Sequence, residues 1–155
     1  MNKTNVIRLL EASKIPHVIK TYEVNEDDLS GTLVAQKIGV NEEIVFKTLI
    51  AEGDKTGINV FCVPVNSELN LQKAATVSSN KKVELIPTKN LLVVTGYVRG
   101  GCSPIGMKKK YPTFIDETAQ LFDMIYISAG IRGMQVGVPP DALQMFISSI
   151  FTDLT

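Results

Sequence analysis

Lys47 is the one charged residue in the run "IVFKTLI" (44–50). If that run is extended, alternation puts Ile44, Phe46 and Ile50 on one face and Val45, Lys47 and Leu49 on the other. An ammonium on so apolar a face must find a counter-charge, lose its proton or open into a wet cleft. The alternative is a packed stem whose amine reaches water. A second stretch, "YVRGGCSPIG" (97–106), offers Cys102 and Ser103 as nucleophiles on a glycine-rich loop. A reactive thiol needs a base or a helix N-terminus beside it, and the single histidine, His17, lies far off in a helix-to-strand connection. Ser103 precedes Pro104 and lacks the G-x-S-x-G frame of a nucleophile elbow. Cys102 therefore reads as a small half-buried loop residue, and Cys62, between Phe61 and Val63, as core.

The glycines themselves are another candidate. Gly100-Gly101 is either a tight turn or a place where backbone N–H groups point at a ligand, as in anion nests and oxyanion holes. Ser128-Ala129-Gly130 ends an extended stretch in a similar way. Beside the first loop run Lys108-Lys109-Lys110 and Tyr111, with Arg99 upstream; they form a solvated face or a contact to phosphates. Tyr22, closing the extended "KTY", is either a core edge or a lid over a pocket.

The elements that must position these groups follow from periodicity and punctuation. Residues 3–14 carry Val6, Leu9, Leu10 and Ser13 at helical spacing, with Asn2 or Thr4 as cap, and Pro16 ends the helix. "HVIKTY" is extended, "EVNEDDLSG" a loop, and "TLVAQKIG" a short helix closed by Gly39. "IVFKTLI" and "INVFCVPV" are strands joined through "AEGDKTG" as a hairpin. "NSELNLQKAA" suits a capped helix, "KKVELI" a strand and "TKNLLVVTG" a helix. "MIYISAG" and "MQVGV" are strands about the turn Gly130-Ile131-Arg132-Gly133. A last helix starts at Pro140 and carries Leu143, Phe146, Ile147 and Ile150 at i, i+3, i+4, i+7. Helices scattered among hairpin-linked strands make this an α+β chain, and 155 residues make one domain, 1–155.

Composition sets the limits. At 45 % hydrophobic and 21 % charged residues the chain is built to bury a core. Its apolar runs are too short to cross a bilayer, and the N-terminus lacks the apolar region of a signal peptide, so a cytoplasmic protein is expected. Two cysteines and one histidine argue against a metal site, and no cofactor is expected. A formal net charge of zero excludes a broadly basic nucleic-acid coat, though not a local basic patch.

Taken together, "KTY" (20–22), "FKTL" (46–49), "ELNLQKAA" (68–75), "TGYVRGGCSPIG" (95–106), "ISAGIRG" (127–133) and the "PPDAL" opening the last helix resemble the YbaK/EbsC family. These are bacterial aminoacyl-tRNA deacylases related to the editing domain of prolyl-tRNA synthetases. The resemblance runs through almost the whole chain. It implies a mixed, barrel-like sheet flanked by helices and hydrolysis of mischarged tRNA(Pro), typically Cys-tRNA(Pro). In such enzymes the substrate's own thiol is proposed to attack its ester, so the protein need only hold the ester and stabilise an oxyanion.

Carried over by residue, the resemblance gives Lys47 the aminoacyl end or the terminal phosphate, with Thr48 beside it. Gly100 and Gly101 would offer N–H groups to the scissile carbonyl. Ser128, Ala129 and Gly130 would form the facing wall, and Tyr22 would close over the bound end. Arg99, Lys108, Lys109 and Lys110 would touch tRNA. The expected partners are aminoacyl-tRNA and a prolyl-tRNA synthetase that supplies tRNA identity. Some family members carry an acid two residues beyond the second Arg-Gly; here that place holds Gln135. The competing functions are a broader, water-using deacylase acting on alanyl-tRNA(Pro), and a regulatory protein that keeps the fold without turnover.

Overall fold

The computed structural model describes residues 3–155. The first helix, α1 (Asn5–Ala12), is capped by Thr4, whose hydroxyl accepts a hydrogen bond from the Ile7 amide; the other cap candidate, Asn2, lies outside the described residues. Val6, Ile7 and Leu10 bury its inner face. After β1 (Val18–Thr21), α2 (Gly31–Ile38) begins at the Ser30 cap and ends at Gly39, whose φ of 73° is the left-handed value a helix end requires.

Two long strands, β2 (Phe46–Gly53) and β3 (Gly57–Pro64), pair antiparallel in the register Lys47↔Val63 and Thr48↔Cys62. Their turn is shorter than the sequence suggests, because Ala51–Gly53 stay in the ladder. Asn80 ties down the tip, its Oδ1 accepting from the Lys55 and Thr56 amides at 2.8 and 2.9 Å. Helix α3 (Leu71–Val77), capped by Asn70, leads to β4 (Val83–Leu85), and α4 (Leu91–Thr95) follows a 3-10 turn at Thr88–Asn90.

The remaining elements are β5 (Thr113–Asp116), β6 (Ile125–Ser128), β7 (Met134–Val138), α5 (Pro140–Phe146) and β8 (Ile150–Thr152). Strands β5 and β8 and a 3-10 turn at Glu117–Leu121 are absent from the sequence-based expectation. The final helix is also shorter than its apolar spacing predicts. Ser148 takes a φ of 53°, the chain turns, and Ile150 enters a strand instead of a third helical turn.

The strands form two sheets. One has the order β1-β7-β6, all antiparallel; the other has the order β4-β2-β3-β5-β8, with β3-β5 and β5-β8 parallel. The mixed α+β character stands as expected, but the strands do not close into one barrel. Among the described residues a single bridge, Val45↔Tyr126, joins the sheets just before β2. The main core lies between them, with Phe46, Ile50, Cys62, Ile115, Ile127 and Val136 from the strands meeting Val6, Ile7 and Leu10 of α1. A second core gathers on the other side of the larger sheet around Phe61 and Phe114, stacked with ring centroids 5.5 Å apart. No helix among the described residues is long and apolar enough to cross a membrane.

Candidate functional site

A depression of 370 Å³ opens where the two sheets meet. From β2 come Lys47 and Thr48; from β6 and β7 come Ser128 and Gln135; the loop after α4 supplies Arg99, Gly100 and Cys102. Apolar walls are provided by Leu29, Val34, Val65, Ile86 and Leu91. Lys47, odd in its strand by pattern, thus opens into a cleft. Burial pulls its ammonium down from the ordinary value of 10.5, while the negative charge of Glu68 opposes the pull. Among the residues that line this cleft there is no carboxylate and no imidazole.

The glycine loop is held from inside. Tyr97 donates its hydroxyl hydrogen to the carbonyl of Ile105, closing 97–106 on itself, and its amide bonds the Thr95 hydroxyl at 3.0 Å. Burial pushes the Tyr97 phenol up to about 12, so it remains a donor. Ser103 is fully buried, its Oγ accepting from the Ile105 amide at 3.3 Å, and it is outside the cleft. Cys102 does border the cleft, but burial pushes its thiol up to about 11. The buried Cys62 goes up to about 12, and its sulfur sits 3.9 Å from the Thr48 hydroxyl. His17 turns its Nδ1 to the Ile15 carbonyl at 2.8 Å and plays no part in the cleft. Neither cysteine is a ready thiolate.

The two glycines differ. Residues 98–101 form a tight turn, with the Gly101 amide donating to the Val98 carbonyl at 3.0 Å. The Gly101 N–H is therefore spent, which corrects its expected role as a donor to substrate. What glycine permits here is approach: a Cβ would stand 3.1 Å from the backbone of Ile131 and Arg132. Gly100, by contrast, has a φ of 85°, borders the cleft, and its N–H has no partner among the described residues.

The second small-residue segment also divides. Ser128 lines the cleft, with its Oγ accepting from the Gly130 amide at 3.1 Å. Ala129 is fully buried in the main core, with its amide bonded to the Met134 carbonyl at 3.0 Å. Gly130 packs against Val6 and Tyr97. Ala129 and Gly130 therefore do not form the expected wall; they shape the turn that presents Ser128. Tyr22 stands in a small neighbouring crevice that shares Leu29, Val34 and Gly100 with the cleft, not in the cleft itself.

Of the basic groups expected to touch tRNA, Arg99 alone is at the cleft. Lys108 lays its stem over Gly96, and Lys109 and Lys110 edge a separate depression of 240 Å³ with Leu9, Tyr111 and Phe146. The residue that sequence reasoning treated only as a departure is the most telling. Gln135 is 6 % exposed, and its Oε1 is buried without a hydrogen-bond partner, the one such side-chain atom among the described residues. Buried polar atoms are nearly always satisfied, and this exception belongs to a residue that lines the cleft. The sequence signal for it was a polar residue in an otherwise apolar strand, "MQVGV".

Known proteins share the sequence and the fold. A relative from Enterococcus faecalis, named "Putative Cys-tRNA(Pro)/Cys-tRNA(Cys) deacylase EbsC", is 45 % identical over 153 residues, covering 99 % of this chain and 93 % of its own. Two solved structures share the fold. The first, described as "Crystal structure of a putative trans-editing enzyme for prolyl tRNA synthetase", superposes with a TM-score of 0.82 at 20 % identity, over 99 % of both chains. The second, "hypothetical protein APE2540", gives 0.88 at 18 % identity, over 97 % of this chain and 99 % of its own. Residues 31–146, from the first turn of α2 to the end of α5, match the sequence model of the aminoacyl-tRNA editing domain, and every residue that lines the cleft except Leu29 lies in that span. The chain belongs to the aminoacyl-tRNA editing domain family.

Proposed function

We propose that this protein deacylates mischarged tRNA, with Cys-tRNA(Pro) as its main substrate and the substrate's own thiol as nucleophile. The observation that carries the reading is what the cleft lacks. No carboxylate or imidazole lines it, and its one thiol is held protonated, so the protein offers no ready base or nucleophile. What it offers is an ammonium at Lys47 and an unpartnered amide at Gly100. That set stabilises charge on an oxyanion and leaves bond-making to the substrate.

In the proposed step the cysteinyl sulfur attacks the ester carbonyl carbon and a C–S bond forms. Charge collects on the carbonyl oxygen against the Gly100 N–H. The bond from carbon to the terminal ribose oxygen then breaks, and the proton lost by the thiol ends on that oxygen. The products are a cysteine thiolactone and free tRNA. Holding sulfur and carbonyl carbon in contact replaces a bimolecular encounter, the effect on which such a site depends. Lys47 binds the aminoacyl end or the terminal phosphate, and the orphaned Gln135 Oε1 accepts from the α-ammonium. The name of the Enterococcus faecalis relative joins Cys-tRNA(Pro) and Cys-tRNA(Cys), which supports recognition of the cysteinyl group over tRNA identity. A neutral chain of this size has little surface for reading tRNA, so we assign that choice to a partner, prolyl-tRNA synthetase.

The test is one panel: Cys-, Ala- and Pro-charged tRNA(Pro) with Cys-tRNA(Cys), for wild type and Lys47→Ala. Thiolactone from the two cysteinyl substrates, with alanyl- and prolyl-tRNA(Pro) spared, is expected. Free amino acid as first product, with alanyl-tRNA(Pro) cleaved at a similar rate, would establish the water-using deacylase instead. Strong discrimination by the isolated protein between tRNA(Pro) and tRNA(Cys) carrying cysteine would remove the need for the synthetase.

A further inference from the structure

Arg132 lies outside the cleft yet grips the peptide that faces it. Its Nε donates to the Arg99 carbonyl at 2.8 Å, and its Nη1 reaches the Glu26 carboxylate at 2.7 Å. The Arg99 carbonyl and the Gly100 N–H are the two ends of one trans peptide, the central peptide of the 98–101 turn. Positive φ at the third residue of such a turn marks type II. Turning this peptide plane over gives a type I turn with the same closing hydrogen bond from Gly101 to Val98. Glycine, which accepts φ of either sign, makes that flip cheap.

The two orientations present opposite polarity. In the observed one the carbonyl points to Arg132 and the N–H leaves from the opposite edge of the plane, on a residue that borders the cleft. Flipped, the carbonyl oxygen would stand where the amide now is and would repel an oxyanion. We infer that Arg132, steadied by Glu26, is a positioning residue that locks the Arg99–Gly100 peptide with its N–H toward substrate. The fork of the guanidinium is what the task needs: one side chain must hold a carbonyl and a carboxylate together, and an ammonium lacks that geometry. The stem of Arg132 adds a second restraint, since its Cγ and Nε lie 3.3 Å from where a Cβ on Gly100 would be.

This inference rests on the proposed deacylation only for its catalytic consequence; the lock itself is testable without substrate. In the observed turn the Gly100 amide proton lies beside the Arg99 α-proton. In the flipped turn it lies beside the Arg99 amide proton, so NMR cross-relaxation reads the plane directly. Arg132→Met is expected to bring up the flipped pattern and to slow single-turnover deacylation of Cys-tRNA(Pro) about tenfold or more, with substrate affinity little changed. Glu26→Gln should do the same more weakly. Arg132→Lys, which keeps the charge, should restore neither the turn nor the rate.

An unflipped turn in Arg132→Met, or a flipped one with full single-turnover rate, would overturn the inference. So would full rescue by Arg132→Lys, which would make Arg132 a plain charge for tRNA. If Arg132→Met does not fold, the same cross-relaxation in Glu26→Gln and Arg132→Lys decides the matter. Should the wild type deacylate none of the four charged tRNAs, the proposed function falls while the state of the turn is still read.

Discussion

Ser128 and Gln135 face each other directly across the β6–β7 ladder, and both turn into the cleft. Ser128 is committed to the Gly130 amide, whereas the Gln135 Oε1 is committed to nothing. The pair thus puts one fixed and one waiting oxygen side by side on the wall opposite β2.

A buried acceptor without a partner costs about 1–3 kcal/mol in the unliganded protein. Gln135→Met keeps much of the side-chain volume and removes that cost, so its thermal midpoint should rise while its KM for Cys-tRNA also rises. Gaining stability as function is lost is the expected mark of a ligand-binding residue. A midpoint and a KM both equal to wild type would show that Gln135 is only core.

Lys47→Ala should lower kcat/KM by about 10²–10³, the usual scale for losing one stabiliser of an oxyanion. The pH dependence follows from its environment. Burial lowers the folded-state value beneath 10.5, so the proton leaves earlier than from a free lysine. Activity that needs the ammonium must then decline on the alkaline side at a pH below 10.5. Stability moves the other way, since the buried charge is unfavourable and is relieved as pH rises through the folded value. Lys47→Arg should move the alkaline limb of activity out of range, because guanidinium does not titrate there. An unmoved limb would assign it to another group.

Cys102 should be dispensable for turnover. Its thiol, pushed up to about 11 by burial, is protonated at neutral pH and should alkylate slowly with iodoacetamide. Cys102→Ala should keep most of the single-turnover rate, and mass spectrometry of the reaction should find no acylated protein. A trapped acyl-enzyme would return the nucleophile to the protein.

Substitution of the paired glycines should separate rate from stability. Gly100→Ala forces a side chain onto a φ of 85°, a strain of about 1–2 kcal/mol that the turn can relieve by flipping its peptide. Its deacylation rate should fall far more than its melting temperature. Gly101→Ala instead drives a methyl against backbone at 3.1 Å, an overpacking cost of about 1–3 kcal/mol, so its main loss should be in stability. Measured together, chemical denaturation and single-turnover rates should rank the two variants in opposite orders.

How much of this was legible beforehand depended on whether the signal was local. The hairpin, the capped helices and Lys47 could all be read, because periodicity, cap residues and one misplaced charge sit within a few residues of each other. Strands β5 and β8 could not. Each has three or four residues, and each is held by parallel pairing to a strand far away in sequence. Ile150 even continued the helical spacing of α5, and only the left-handed turn at Ser148 takes it out of register. The glycines misled for a different reason. A glycine that frees an amide for a ligand and a glycine that lets two backbones touch look identical in sequence, so Gly100 and Gly101 were given one role. Ala129 and Gly130, expected with Ser128 as a facing wall, look like it in sequence, but the one is packed in the core and the other against Val6 and Tyr97. Gln135 was seen as a missing acid, when the finding is an unanswered acceptor.

The single bridge between Val45 and Tyr126 gives the cleft a mechanical meaning. Lys47 rides on one sheet two residues beyond Val45, and Ser128 on the other two residues beyond Tyr126, with Gln135 paired to Ser128. A ligand held by both sheets closes a span that the ladder hydrogen bonds leave open. Occupancy would then be felt as stiffness along the seam, and the substrate becomes, for the time it is bound, part of what fastens the two halves of the protein together.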